Sequence, residues 1–308
     1  MFTEALNLAI VQTELDGVFF QAFNRLEAPG TATALTAELF KPTNIEHKNY
    51  IQETFKGVGL WSAIGETSTV PLGTPLVRNK KTTTVLDFAE GVEISKDMFD
   101  DNMFGTYARM IANLGEMGRV TRDQNAFKVF RNAFTTQLTA DGVSWINAAH
   151  PLIGGGTVSN LITGALTPTT FNNALVALQQ QKNQAGVVMG GKATMLVVAP
   201  ANFVNATQIT QSALVSDSAN NALNVFRSAY GITVYVSPYL SSAVPGGSDT
   251  AWFVMTPNHG VVRYIRQEIQ TSLRDWSFSN NRTYFYQANF REEVDTIDYC
   301  GAVGSTGV

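Results

Sequence analysis

Cysteine is nearly absent from the 308 residues: Cys300 stands alone near the C-terminus. A single thiol excludes an intrachain disulfide and a zinc site built on cysteines. Histidine is almost as scarce. His47, His150 and His259 are far apart, and none has ligand spacing to a second histidine or carboxylate, so the pattern offers no metal centre. Charge is thin as well. Charged residues are 15% of the chain, well below the usual fraction of about a quarter. A surface poor in charge suits large contact areas, because the cores of interfaces are depleted in charge. The net charge of −4 lacks the basic excess with which a dedicated DNA or RNA binder displaces counterions. It is compatible with a protein that encloses nucleic acid without reading it. The opening stretch MFTEALNLAIVQTELDG has acids at Glu4, Glu14 and Asp16 and no basic region, so it does not read as a signal peptide. No apolar run reaches the length of a membrane span. These absences suggest a soluble protein kept in a reducing cytoplasm, with no membrane partner.

What is present is apolar patterning, at 44% hydrophobic residues, in a chain long enough for a sizeable core. Leu6, Ile10, Leu15, Val18 and Ala22 recur at helical spacing and predict an amphipathic helix over 3–27, broken by Ala28-Pro29-Gly30. From Gly57 to Ile94 the chain turns rich in Thr, Val and Gly, the composition of strands and turns. There Leu86, Phe88, Val92 and Ile94 share one face of a strand. The middle, PLGTPLVRNKK, holds two prolines and three cations, which suits the exposed tip of a long β-hairpin. Such a hairpin is marginal alone and needs something to pack on. Ser95 then reads as an N-cap with Asp97 in the first turn. Phe104, Tyr107, Ile111 and Leu114, and later Phe127, Phe130 and Phe134, form one stripe. A helix continuous from Ser95 to Phe134 would be ~60 Å long at ~1.5 Å per residue. Gly105, Gly115 and Gly118 weaken it and mark kinks or close packing.

A turn-rich stretch, Thr139 to Thr163, comes next. Thr167-Pro168 starts another helix with a buried stripe of Phe171, Leu175 and Leu178. The short apolar runs MLVVAP (195–200), ITVYVSPYL (232–240) and AWFVMTP (251–257) alternate with helices and describe a compact α/β lobe. The final stretch has long alternating runs either side of Ser279-Asn280-Asn281. It predicts an antiparallel pair too long for the lobe, packed on the long helix, which makes the lobe an insertion.

The one stretch that invites an enzymatic reading is HPLIGGGTVSN (150–160). A phosphate-binding loop needs Gly-Lys-Ser/Thr opening a helix, and this run has no lysine. His150 has no Gly-x-Ser-x-Gly partner motif and no acid paired to it by pattern. The favoured reading is a glycine turn after a proline, with a hydrogen-bonded structural histidine. The acids of 97–101 and 291–295 read as dipole-complementing or solvated groups. Arg78, Lys80 and Lys81 at the hairpin tip could touch phosphates, meet an acidic patch on an adjoining copy, or be solvated. No pattern calls for a cofactor.

The order of these parts resembles the Hong Kong 97-type major capsid protein of tailed bacteriophages. The matching stretches are AAHPLIGGGTVSNLITGALT (148–167), FNNALVALQQQKNQAG (171–186), TMLVVAP (194–200) and VYVSPYLS (234–241) followed by AWFVMTP (251–257). Their order and spacing are most similar to the Mu-like major head subunit family, over roughly residues 50 to 300. The resemblance implies an α+β fold with an N-terminal arm (1–50), an extended hairpin loop (51–94), a peripheral domain with a spine helix and antiparallel sheet (95–159 and 258–308), and an inserted axial domain (160–257). It implies a structural protein, not an enzyme, that assembles with itself as pentamers and hexamers. The icosahedral shell would enclose double-stranded DNA without sequence-specific binding. The protein would be found in the virion, after assembly in the host bacterial cytoplasm. Arg78, Lys80 and Lys81 would be inter-subunit contacts. His150, Pro151, Gly154, Gly155 and Gly156 would connect spine helix and axial domain. Few residues precede the hairpin, so a separate scaffolding protein is expected, with a portal and optional decoration proteins. Two rival readings stand beside this one: an encapsulin-type nanocompartment shell protein sharing the fold, and an α/β enzyme using His150.

Overall fold

The computed structural model describes residues 2–25, 38–55, 60–66, 68–73, 77–101, 104–153, 155–214, 223–275 and 282–308. In chain order the first elements are α1 (Phe2–Arg25), β1 (Lys41–Asn44), β2 (Asn49–Phe55), β3 (Val77–Thr84), β4 (Leu86–Ser95), α2 (Lys96–Asp100) and α3 (Phe104–Arg131). Then come β5 (His150–Pro151), β6 (Thr157–Val158), β7 (Leu161–Ile162), α4 (Pro168–Gln180), β8 (Met195–Val198), α5 (Phe203–Gln211), α6 (Val225–Tyr230) and β9 (Thr233–Val236). The last are β10 (Trp252–Met255), β11 (Val261–Arg274), β12 (Thr283–Thr296) and β13 (Ala302–Ser305). Residues 1–49, 84–126 and 263–294 form one compact unit, and residues 50–83, 127–262 and 295–308 form a second.

The first unit is built on a four-stranded sheet in the order β1-β11-β12-β4. Leu15, Phe19 and Phe23 recur every fourth residue along α1, so they lie on one side of it. They pack with Tyr107, Ile111 and Leu114 of α3 and with Ile94, Tyr286 and Ala288 of the sheet. Two helices thus cover one sheet face, and the long C-terminal strands do lie against α3. The helices cross at Gly115, where an added Cβ would sit 2.6 Å from the Phe19 carbonyl oxygen. The glycine there serves close packing.

Ion pairs are buried beside this apolar core. The Arg119 Nε donates to both carboxylate oxygens of Asp123 at 3.1 Å. Glu292 Oε2 accepts from Arg122 Nε at 3.0 Å and from Arg263 at 2.9 and 2.6 Å, while Arg122 also reaches Glu268 at 2.9 Å. The Glu292 side chain is only 1% exposed, so the reading of residues 291–295 as solvated acids is corrected. Glu292 sits on the inward parity of β12, and the guanidiniums make its burial tolerable. Burial pushes the Glu292 carboxyl up to about 7 against the pull of Arg122. Burial does the same to Asp123, also to about 7, against Arg119.

Two further expectations are corrected here. The helix does not run unbroken from Ser95 to Phe134. Ser95 does cap, its Oγ accepting from the Met98 amide at 3.2 Å, but α2 stops after five residues. The Asp-Asp-Asn run at 100–102 favours local side-chain bonding over helix. α3 has 28 residues, about 42 Å at ~1.5 Å per residue. Nor do residues 86–94 return along a hairpin from residue 57: β4 pairs with β12, with Phe88 opposite Phe290 and Ile94 opposite Tyr284. The hairpin partner of β2 is β3.

The second unit carries a five-stranded sheet in the order β7-β13-β10-β8-β9. β8 and β9 are parallel, whereas β10 runs antiparallel to β8 and β13. Helices α4, α5 and α6 cover the face that bears Leu196, Val198, Trp252, Val254 and Val303. α4 starts as its sequence predicts, with a reciprocal cap in which Thr167 Oγ1 accepts from the Thr170 amide at 3.2 Å and Thr170 Oγ1 from the Thr167 amide at 2.9 Å. On the opposite face Phe253 meets Phe130, Phe134 and Trp145 at ring separations of 5.2 to 6.1 Å. The expected boundaries at 160 and 257 therefore do not bound this unit. The end of α3 and residues 132–159 join it through this aromatic cluster. β13, expected in the peripheral sheet, sits between β7 and β10 because Val303 pairs with Val254 and enters the same core.

Two outcomes follow from the first unit. Helix propensity alone would make Gly115→Ala stabilising by about 1 kcal/mol, but overpacking against Phe19 costs ~1–3 kcal/mol. Gly115→Ala is therefore expected to lower the urea midpoint, whereas Gly105→Ala, with nothing within 4 Å of the new Cβ, is not. The second concerns Glu292. An unfolded chain releases this proton near 4.5 and the folded one near 7, so the folded state holds more protons between those values. Stability from this group falls as pH rises across that window and is level above it. Comparing denaturation of wild type and Glu292→Gln, the difference should move against wild type from pH 4.5 to 7 and then flatten.

Candidate assembly site

β2 and β3 form a two-stranded ribbon that joins no other sheet. Its contacts run in antiparallel order: the Lys80 ammonium meets Glu53 at 2.6 Å and Thr54 Oγ1 donates to the Asn79 carbonyl. The described residues between the strands, 60–66 and 68–73, form no regular structure. They carry large apolar side chains in the open: Trp61 is 93% and Leu72 94% exposed, with Leu60, Ile64 and Val70 also exposed. These side chains line a shallow cavity of about 570 Å³. Exposed apolar groups scattered singly are ordinary, but a contiguous group marks a contact surface.

The cations assigned to the loop tip lie elsewhere. Arg78, Lys80 and Lys81 are all within β3, and the Arg78 side chain is outside the described set. Strand alternation sends Lys80 outward and Lys81 inward. Lys81 is 14% exposed and pairs with Asp295, itself 12% exposed. Its ammonium also donates to the backbone carbonyls of Leu138 and Thr296. The Asp295 carboxylate accepts further from Thr83 Oγ1 and Gln137 Nε2, both at 2.5 Å. An ammonium has three N–H donors, and Lys81 places all three within its own chain, so it is not available to a neighbour. The sequence signal for a contact surface lay in the apolar residues Leu60, Trp61, Ile64, Val70 and Leu72, set without periodicity among Gly, Ser and Pro.

The 150–160 stretch turns a corner. β5 and β6 pair with His150 opposite Val158 and Pro151 opposite Thr157. Gly155 and Gly156 have φ of +92° and +85°, a region that favours glycine. Gly154 lies outside the described residues. The whole stretch is inside the second unit and lies between α3 and α4 in chain order. The His150 ring is fully buried and stacked on Tyr299 at 4.4 Å. Its Nδ1 lies 2.7 Å from Asp141 Oδ2 and its Nε2 3.1 Å from Asn160 Oδ1. The Asn160 amide is oriented by two backbone bonds: Oδ1 accepts from the Asn147 amide and Nδ2 donates to the Trp145 carbonyl, both at 2.8 Å. Both ring nitrogens of His150 thus face oxygen atoms, and these contacts tie 141, 150 and 160 together. Burial pushes the Asp141 carboxyl up, but hydrogen bonds from His150, Thr139 and the Val143 amide outweigh it and hold the group below its ordinary value. The described partners of His150 are Asp141, Asn160 and Tyr299. Among the described residues no cluster of three or more His, Cys, Asp or Glu could hold a metal ion, and no helix is long and apolar enough to cross a membrane.

His150→Ala would strip the buried Asp141 carboxylate of its His150 bond and leave it Thr139 and the Val143 amide, a loss of ~1–3 kcal/mol. Chemical denaturation near neutral pH should read that loss. The loss should shrink under acid, where protonation of Asp141 removes the charge.

Residues 79–303 match the family model described as phage capsid protein. No curated protein sequence matches the chain. Among solved structures, the fold is similar to that of a virus-like particle from Pyrococcus furiosus, at TM-score 0.55 and 10% identity over 96% of this chain and 99% of that one. It is similar to the capsid of a native GTA particle, at TM-score 0.54 and 14% identity over 89% of each chain. The mature capsid of bacteriophage PhiM1 gives TM-score 0.54 and 11% identity over 86% of this chain and 84% of that one. At such identities the likeness is one of fold, and the fold is the α+β architecture of Hong Kong 97-type capsid proteins. The family match extends over most of the sequence, and on that match the chain belongs to the phage capsid protein family.

Proposed function

We propose that this chain is the major head subunit of a tailed bacteriophage, of the Mu-like kind. It assembles with itself as pentamers and hexamers into an icosahedral shell around double-stranded DNA. The observation that carries the reading is the ribbon of β2 and β3 with its apolar, exposed loop at 60–73. Trp61 and Leu72 have almost no cover within the chain, and burial of each large apolar side chain is worth ~1.5–3 kcal/mol. In this reading the loop lies on a neighbouring copy. Residues 50–83 act as the extended loop, the four-stranded unit as the peripheral domain and the five-stranded lobe as the axial domain. Contacts of this head-to-tail kind close into a shell when their rotations close. The net charge of −4 suits a container that holds DNA without binding its sequence.

A scaffolding protein, a portal and decoration proteins would be separate partners. The subunit would assemble in the host cytoplasm and end in the virion. Its role is structural, with no catalytic step. The likeness to a virus-like particle over nearly the full length of both chains favours one second reading, a compartment shell without a genome. The nucleic-acid content of purified particles separates the two.

Negative-stain electron microscopy of the purified protein, alone and with candidate scaffolding proteins, tests the proposal. Closed shells or free pentamers and hexamers are expected. A monodisperse monomer under every condition would sink it. Trp61→Asp combined with Leu72→Asp should leave the melting temperature within about 2 °C, since exposed substitutions usually cost under ~0.5 kcal/mol. The yield of closed particles should fall at least tenfold, and an unchanged yield would remove the loop from the contact.

A further inference from the structure

We infer that Lys81 and Asp295 are positioning residues for assembly, a clasp at the root of the β2–β3 ribbon that sets the direction in which the loop is presented. The inference rests on the shell reading above and adds to it the residues that aim the contact.

The ribbon is held differently on its two sides. It shares no sheet with the rest of the protein, and a two-stranded ribbon is marginal without support. On β2 both Ile51 and Phe55 are exposed. The Lys80–Glu53 pair links one strand to the other and so fastens the ribbon to itself alone. The inward side of β3 is different. Lys81 and Thr83 share one face, and both are bonded to Asp295. Lys81 adds the carbonyls of Leu138 and Thr296. Asp295 adds the Gln137 amide group and the backbone N–H of Thr296. Two β3 side chains are thereby tied to two separate segments of the second unit, 137–138 and 295–296.

The chemistry suits aiming better than strengthening. A buried ion pair is often no more stabilising than a well-packed apolar pair, because desolvation offsets the attraction. What a fully bonded ammonium and carboxylate impose is geometry. Each bond is directional, and charge-assisted bonds are the strong ones. The lever is long. β2 has seven residues, roughly 23 Å at ~3.3 Å per residue. A 10° tilt at the root therefore moves its far end by about 4 Å, comparable to a side-chain width. An apolar loop displaced that far misses its seat on the next subunit even though every subunit remains folded.

Lys81→Met keeps the stem and removes the charge, leaving Asp295 with Thr83, Gln137 and Thr296. Asp295→Asn keeps the shape and weakens the pairing from the other side. Lys80→Met is the control on the outward face. In a Cys300→Ser background, spin labels at Ser62→Cys and Ser228→Cys report the loop-to-lobe distance within the second unit. Labelled full-length chains are diluted in unlabelled protein.

The expected result is one narrow distance distribution for wild type and Lys80→Met. Lys81→Met and Asp295→Asn should give a broadened or shifted distribution, with at least a tenfold loss of closed particles and folded circular dichroism spectra. A distribution unchanged in both clasp variants would overturn the inference. So would closed particles at wild-type yield despite a broadened distribution. Unfolding of both variants would make the clasp a folding determinant and overturn the positioning role. If wild type itself forms no particles with any scaffold, the shell reading fails. The distance measurement still shows separately whether Lys81 and Asp295 fix the ribbon.

Discussion

The first unit depends on one buried carboxylate. Glu292 faces inward from β12 and binds Arg122 of α3 and Arg263 of β11 through the same oxygen. Removing any partner would strand a charge out of water, so helix and sheet are locked in one register. The apolar stripe of Leu15, Phe19 and Phe23 then closes over α3, but an apolar stripe alone is tolerant of sliding. The charged bridge is not. In a chain so poor in charge, ionic groups are buried in pairs, Arg119 with Asp123 and Lys81 with Asp295, and His150 is bonded to the buried Asp141. Arg119 and Asp123 sit one turn apart in α3, whereas Lys81 and Asp295 join segments 214 residues apart.

The loop at 60–66 and 68–73 is built differently from these buried pairs. It presents aromatic and aliphatic groups, and Lys80 and Lys81 of β3 are engaged across the ribbon and beneath it. If the loop lies on a neighbouring copy as proposed, attraction there rests on apolar area and shape, and the polar interior of each subunit supplies the fixed geometry that such attraction needs.

Much of this was legible in the amino-acid order wherever the signal was local. The helical spacing in 3–27, the Thr167-Pro168 start of α4 and the apolar run at 195–198 each encode their element within a few residues. Among its described residues, though, the stripe read in the first helix kept only Leu15 fully buried: Phe19 and Phe23 are buried with it and Ile10 is exposed. The misreadings were non-local. The alternation of Leu86 to Ile94 fits any antiparallel neighbour, and nothing in it distinguishes β12 from the other arm of a hairpin. Glu292 looked solvated because Arg122 lies 170 residues away. Lys81 looked like a free cation because Asp295 lies 214 residues away. β13 is four residues that include Gly304 and Ser305, too short and too weak in strand propensity to announce itself. The glycine turn at 155–156 was read correctly, since a positive φ leaves its mark in the sequence.

The position of β13 has a consequence for how the chain comes off the ribosome. β7, β8, β9 and β10 all emerge before it, yet β13 belongs between β7 and β10. Until it arrives, β10 has an open edge and β7 has no neighbour in the sheet. Synthesis runs from the N-terminus, so the lobe reaches its finished form only once residues 302–305 have emerged. The last strand to be made is thus an inner strand of this sheet, and the fold of the lobe is gated by residues 302–305.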